Sequence, residues 1–249
     1  MRMILGRARL AGAAAVLLAA VAVAPAASPP GRATPAAAAR TASATTADAR
    51  FELASRTDPG RPMRWLACKP IEYRINPTDM PAGLEPTVRH AMSVLQRQTG
   101  VRFRYAGHTR HTFTSTTHAA TPTVYIAFTS RRRAAGQTFG GPGGEIGVGG
   151  PAGSWAVSGG RTTEAITYGR VLLSSRFRGP ATGGGASWQA LILHEVGHAL
   201  NLAHRGGART IMHPVLSGAT PAQYTPAEVH ALRKVLQTSR CDYAAWSRL

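Results

Sequence analysis

The chain has 249 residues, and its 29 Lys and Arg against 11 Asp and Glu give a formal net charge of +18. Such a positive field favours non-specific binding of polyanions. No nucleic-acid-binding motif accompanies the basic residues, and the few aromatic residues are not interleaved with them, so specific nucleic-acid recognition is excluded. The densest basic run, Arg131 to Arg133, is interpreted as a solvated loop.

Residues 1–27 are predicted to be a secretory signal peptide. Three arginines begin the chain, an apolar stretch runs from Leu10 to Val23, and the small residues of 24–27 offer a cleavage site. The apolar stretch is short, because a membrane span needs about 20 residues. We therefore expect a secreted protein without a membrane span, and an uncleaved N-terminal anchor is the alternative.

Residues 28–64 are rich in Ala, Thr, Pro and Ser and are predicted to be a low-complexity linker or a pro-segment. Residues 65–249 then form one domain that is long enough for a hydrophobic core. Cys68 and Cys241 bracket this domain. In an exported chain we expect them to form a disulfide bond, and two free thiols are the alternative.

Alternating and amphipathic patterns predict the elements of this domain in chain order. The glycine-rich residues 137–160 resemble a phosphate-binding loop only superficially, since no Lys-Ser/Thr pair follows them. Thr225 to Glu228 is a capping box with proline at the first helical position, so a last helix should begin there. Earlier in the chain, the patterns predict strands at Ile71–Asn76, Val101–Tyr105, Thr123–Phe128 and Tyr168–Ser174, and a helix at Pro86–Thr99.

Between the second and third predicted strands lies a loop with His108, His111 and His118. These side chains could bind a metal ion, but no carboxylate lies near them in the sequence. They are interpreted as surface residues.

Three histidines and a glutamate near the C-terminal end have the spacing of a catalytic zinc site. His194 and His198 are four residues apart, so a helix presents both from one face. Asn201 tolerates the left-handed conformation and can end the helix, which lets the chain turn back and present His204. A change of Asn201 to Gly should then be tolerated. Three imidazoles leave one zinc position open, and Glu195 can hold the water there.

The flanking residues support a buried helix rather than three unrelated histidines. Leu191, Val196 and Leu200 form an apolar side opposite the imidazoles. Ordinary surface or core histidines on a helix remain the alternative interpretation.

This motif resembles the zinc signature of the metzincin metallopeptidases, with Asn201 where glycine is usual. Met212, eight residues after His204, matches the methionine turn of that group. The wider chain is similar to secreted actinobacterial proteins with a matrixin-like catalytic domain, over about residues 65–245. The segments that carry this similarity run from Cys68 to Pro77 and from Thr99 to Tyr105.

Two departures limit what the resemblance implies. Matrixins hold structural calcium and a second zinc through Asp and His residues before the active-site helix. Here that region has Glu145 and Glu164 but no Asp or His, so these extra ions are not expected. No cysteine precedes Cys68, so latency through a propeptide thiol is not expected either.

The resemblance implies an α/β (α+β) fold of the zincin/metzincin type. It has a mixed twisted sheet with an active-site helix, followed by a smaller C-terminal lobe with one helix. Gly144–Trp155 would supply the edge strand above the cleft, where an extended peptide could add as a further strand. A mobile surface loop is the alternative for this segment. Residues 217–224 would form a wall of the specificity pocket.

The function implied is a secreted, monomeric zinc endopeptidase that acts on protein or peptide substrates. Zn²⁺ would be held by His194, His198 and His204, Glu195 would act as general base, and Met212 would pack beneath the imidazoles. Two alternatives remain. One is a catalytically silent cationic module that keeps zinc for structure, and the other is a zinc amidase acting on cell-wall peptides.

Overall fold

The computed structural model describes residues 19–23, 50–65, 69–115, 121–140, 144–158 and 161–236, with the backbone alone for 19–23, 156–158 and 161. Cys68, Cys241, His118 and the rest of the predicted signal peptide lie outside these residues, so the disulfide bond stays a prediction. The elements in chain order are β1 (Ala19–Val23), β2 (Ile71–Ile75), α1 (Glu85–Thr99), β3 (Phe103–His108), β4 (Thr123–Thr129), β5 (Arg133–Ala134), β6 (Gln137–Thr138), β7 (Glu145–Ser158), β8 (Arg161–Ser174), α2 (Trp188–Ala199), β9 (Val215–Leu216) and α3 (Pro226–Leu236).

The main sheet is mixed, with the strand order β3-β2-β4-β8-β7-β1-β9. Neighbours from β3 to β8 run parallel, whereas β7 pairs antiparallel with β8. Helix α2 packs against β7 and β8, and α1 packs against α2. The chain after α2 forms β9 and α3, the single helix expected for the C-terminal lobe. The predicted α/β class is therefore confirmed.

Helix α1 follows from a simple amphipathic pattern. Val88, Met92 and Leu95 lie three or four residues apart, and all three are buried in the core. Gly100 ends the helix with φ 76°, a left-handed conformation that glycine adopts without steric penalty. The predicted helix is confirmed, and it begins one residue earlier, at Glu85.

Strand β7 contains the glycine-rich sequence that could equally have been a surface loop. It pairs with β8 over the full length of a long hairpin, from Gly147↔Leu173 to Ser158↔Arg161. A Cβ atom on Gly149 would collide with the carbonyl oxygen of Glu195 in α2, and one on Gly147 would lie 2.5 Å from the Glu195 carboxylate. The glycines therefore let the strand lie directly against the helix.

Strand β1 lies between β7 and β9. It pairs antiparallel with β7, where Val21 is opposite Gly147, and parallel with β9, where Val23 is opposite Leu216. The strand comes from the segment predicted to be a signal peptide. β7 is therefore not the edge strand that the sequence predicted, because β1 occupies the side of β7 that faces away from β8. This pairing shows that the outer side of β7 accepts an extended backbone.

Residues 50–65 pack against the domain, although most of them fall within the predicted linker or pro-segment. Trp65 is fully buried and pairs with Ile166 through a parallel bridge, and Met63 belongs to the main core. Phe51 forms an antiparallel bridge with Leu202, directly after α2. The boundary at residue 64 stays a prediction. In the described part of the chain, no helix is both long and apolar enough to cross a membrane.

The close approach of β7 to α2 predicts a strong effect of Gly149→Ala. Because the new methyl group would meet the backbone of Glu195, the strand and helix must separate, which should destabilise the protein by about 1–3 kcal/mol. Urea unfolding at constant metal loading measures this change. Gly206→Ala is the control, since nothing lies within 4 Å of a Cβ at that position. Equal stability of the two variants would contradict the packing described here.

Candidate metal centre

Helix α2 presents two of the predicted metal ligands from the centre of the protein. Ser187 caps the helix, because its hydroxyl accepts a hydrogen bond from the Ala190 N–H at 3.1 Å. His194 and His198 are both fully buried on this helix. A four-residue spacing places their rings one turn apart, as the sequence predicted.

The third ligand returns to the site because the chain reverses at Asn201. This residue has φ 86° and is one of few described non-glycine residues in the left-handed region. Its N–H donates to the carbonyl of His198, and the next N–H, of Leu202, donates to that of Gly197. The reversal brings His204 beside the other two histidines, with ring centroids 5.3 Å from His194 and 4.7 Å from His198.

Backbone carbonyls determine which nitrogen of each helical histidine faces the centre. Nδ1 of His194 lies 2.6 Å from the carbonyl oxygen of Ile211, and Nδ1 of His198 lies 2.7 Å from that of Leu202. A carbonyl oxygen only accepts, so both Nδ1 atoms carry the proton and donate it. Both Nε2 atoms then hold lone pairs, and they face each other at 3.0 Å. A cation bound between these lone pairs would remove their repulsion.

The three imidazoles fit a zinc ion. Tetrahedral zinc with bonds of about 2.0–2.1 Å separates its ligand nitrogens by about 3.3 Å. The candidate ligand atoms of His194, His198 and His204 all lie within 4.8 Å of one another. Nε2 of His204 is buried and has no hydrogen-bond partner. Of the residues that the structure describes, these three form the only group of this kind.

Burial keeps the ligands neutral, which metal binding requires. It lowers the pKa of His194 well below the usual value and that of His198 to about 3. The pKa of His204 is also lowered, mainly by burial, although nearby Glu52 acts in the opposite direction. The site is therefore a cluster of neutral imidazoles at neutral pH.

Glu195 follows His194 in α2, and its carboxylate is unsatisfied. The side chain is fully buried, and neither carboxylate oxygen has a hydrogen-bond partner. Burial raises its pKa well above the usual value, and the charge of Glu145 adds to this effect. A buried carboxyl without a partner is energetically costly, which marks Glu195 as a candidate functional residue.

Met212 packs against the helix that carries His194 and His198. Its side chain is buried and lies against Gly197, where a Cβ atom would collide with the sulfur. The Met212 N–H donates to Glu228 at 2.8 Å. The same carboxylate accepts from the Thr225 N–H at 2.7 Å, which confirms the predicted capping box of α3. The last helix thus anchors the turn that contains Met212.

The sequence did not indicate two contacts behind the metal ligands. Asn201 is fully buried, and its side-chain amide bonds to the backbone of Leu53 and Met63. Glu52 places Oε1 3.2 Å from Nδ1 of His198, and burial raises its pKa to about 6 despite the opposing charge of His204. Glu52 follows a low-complexity tract, and no spacing motif singles it out.

The other histidines considered from the sequence do not join this cluster. His108 is exposed and lies 2.9 Å from Glu85, and His111 stacks on Tyr125 with ring centroids 4.7 Å apart. His118 lies outside the described residues. The two described histidines therefore have protein partners of their own.

Comparison with known proteins agrees with this geometry. The family model of the matrixin peptidases matches residues 64–235, which include the three histidines, Glu195 and Met212. Residues 50–63, with Glu52, lie outside the match. No match was found among curated proteins. The similarity to actinobacterial proteins in particular stays a prediction.

His204→Ala should weaken zinc binding by more than about 100-fold. Losing a group that only supports a ligand costs up to about 100-fold in affinity, and losing a ligand should cost more. The reason is the loss of one of three directly binding nitrogens. Competition with a chromophoric chelator measures the affinity. His230→Ala, on the exposed face of α3, controls for removal of an imidazole and should bind zinc like the parent. Unchanged affinity of His204→Ala would remove this residue from the ligand set.

Asn201→Gly should lower the free energy of unfolding by about 1–3 kcal/mol, contrary to the tolerance expected from the turn alone. Glycine keeps the left-handed turn but loses three side-chain hydrogen bonds. Ala135→Gly is the matched control, because Ala135 also has positive φ, at 52°, and no side-chain hydrogen bond to lose. Denaturant unfolding that finds both variants as stable as the parent would show that the amide contacts are unimportant.

Proposed function

Because this chain belongs to the matrixin family of metallopeptidases, we propose that it is a secreted zinc endopeptidase with Glu195 as general base. One observation carries the proposal. An unpaired, buried carboxylate, that of Glu195, belongs to the residue after His194 and lies against Gly147 on β7, whose outer side accepts an extended backbone. A site for structural zinc needs the histidine nitrogens but not the carboxylate.

Zn²⁺ is the proposed cofactor, held by His194, His198 and His204. When bound there, it would act as a Lewis acid on the substrate carbonyl and lower the pKa of a water molecule from about 15.7 to near 7. The positive charge of a bound ion would also lower the pKa of Glu195 and so counteract the effect of burial. Glu195 can then accept a proton from the attacking water and deliver it to the leaving amine nitrogen.

The edge of β7 is the proposed binding surface for the substrate backbone. Strand β1 pairs there with Val21 opposite Gly147, the residue next to the Glu195 carboxylate. A substrate in the same register would run antiparallel to β7 and parallel to β9, with a peptide bond at the level of Glu195. Removal of residues 1–27 on export would leave this edge free.

The remaining features of the proposal come from the sequence. Export through the signal peptide places the enzyme outside the cell, where a Cys68–Cys241 disulfide bond can form. The substrate is a protein or peptide, the enzyme acts as a monomer, and polyanion binding would be non-specific. A silent zinc-containing module would hold the metal without turnover, and a zinc amidase would release peptides from purified peptidoglycan.

Glu195→Gln should reduce kcat for casein hydrolysis by about 10²- to 10⁴-fold, the range that general acid–base catalysis contributes. The amide keeps the shape of the side chain but cannot accept the proton, so zinc content should be unchanged. Initial rates and metal analysis of the same sample measure both. In the parent, a chelator should abolish hydrolysis and added zinc should restore it.

Glu164→Gln is the matched control. Its carboxylate accepts a hydrogen bond from the Arg56 N–H at 2.7 Å, outside the site, and a glutamine oxygen can accept the same bond. This variant should keep parental rates. Full activity of Glu195→Gln would refute the general-base role, and a zinc-loaded parent inactive on all peptides would favour the silent module.

A further inference from the structure

The segment of residues 50–63 adds a layer behind the metal centre that the family match does not include. It runs beside the turn that follows α2. The Ala203 N–H donates to the carbonyl of Arg50 at 3.0 Å, and the Glu52 N–H donates to that of Asn201 at 3.3 Å. These bonds join the segment to the chain between His198 and His204, so its position is tied to that of the ligands.

Asn201 holds the same segment with its side chain. Its Nδ2 donates to the carbonyl oxygens of Leu53 at 3.0 Å and Met63 at 2.9 Å, and its Oδ1 accepts from the Leu53 N–H at 2.6 Å. Glycine, the usual residue at this motif position, could make none of these bonds. Asn201, which replaces the usual glycine of the metzincin pattern, therefore fixes the position of the residue that precedes Leu53.

That residue is Glu52, and its carboxylate lies behind the ligands. Oε1 is 3.2 Å from Nδ1 of His198, on the side of the ring opposite the metal-facing Nε2. The side chain is only 10% exposed, so solvent screens its charge weakly. Nδ1 donates its proton to the Leu202 carbonyl at 2.7 Å, and the carboxylate lies beside this N–H as a neighbouring negative charge.

The charges of the site favour this arrangement. Three neutral imidazoles would leave the double positive charge of a zinc ion uncompensated in a buried position. In the zinc-bound site Glu195, the residue after His194, would supply one negative charge, and Glu52, behind His198, would supply a second. A negative charge beside the outer N–H of a ligating histidine polarises the ring and raises its basicity as a ligand.

We propose that Glu52 is a positioning residue that holds His198 as a zinc ligand and balances the charge of the ion. The inference rests on the proposed zinc site and adds a residue from outside the matched domain. The carboxylate contacts Nδ1 of His198, on the side of the ring away from Nε2, so it acts on the site through this ligand. Asn201 determines its place by holding the segment.

Zinc affinity tests this role without relying on activity. Glu52→Gln keeps the size of the side chain but removes its charge, and zinc should dissociate about 10- to 100-fold more readily in chelator competition. Glu52→Asp keeps the charge at a longer distance and should fall between this variant and the parent. Asp58→Asn is the matched control, because it removes a carboxylate of the same segment that pairs with Arg61 and not with a ligand.

A spectroscopic readout separates positioning from a general structural role. In ¹⁵N-histidine-labelled, zinc-loaded protein, Glu52→Gln should move a single Nδ1–H resonance, that of His198, upfield. Asp58→Asn should move none of the ligand resonances. Parental affinity and resonances in Glu52→Gln, with a parent that binds zinc tightly, would overturn this inference alone. A parent that binds no zinc would overturn the proposed function together with it.

Discussion

The metal centre depends on two hydrogen bonds from histidine side chains to the backbone. The Nδ1–H groups of His194 and His198 donate to the carbonyls of Ile211 and Leu202, and these bonds direct both Nε2 lone pairs to one point. Both acceptors lie beyond the end of α2. The orientation of the ligands is therefore set by where the chain goes after the helix, and not by the helix alone. The left-handed turn at Asn201 is the step that makes this return possible.

The same centre concentrates groups that are unfavourable when no cation is bound. Two lone pairs face each other at 3.0 Å, and the buried Glu195 carboxyl has no hydrogen-bond partner. Such groups destabilise a fold unless a ligand compensates them. Zinc binding should consequently be coupled to folding stability. The surrounding packing holds these groups in place. Met212 packs against Gly197, and its N–H donates a hydrogen bond to Glu228.

The sequence predicted those parts of the protein whose determinants are local. The four-residue spacing of the histidines and the capping box at Thr225 each depend on residues within one helical turn. The sequence left β7 ambiguous between a strand and a loop, because glycine has a low strand propensity. The glycines are explained by the close approach of α2, which lies far away in the sequence. The contacts of Glu52 could not be predicted, since Leu53 and Asn201 are 148 residues apart and the preceding tract has the composition of a linker.

The most direct test is anomalous diffraction at the zinc edge from crystals of the zinc-loaded protein. The account predicts a single strong peak within about 2.0–2.1 Å of Nε2 of His194, His198 and His204, with the Glu195 carboxylate at its open side. A peak at another place, or one bound by His194 and His198 without His204, would contradict it.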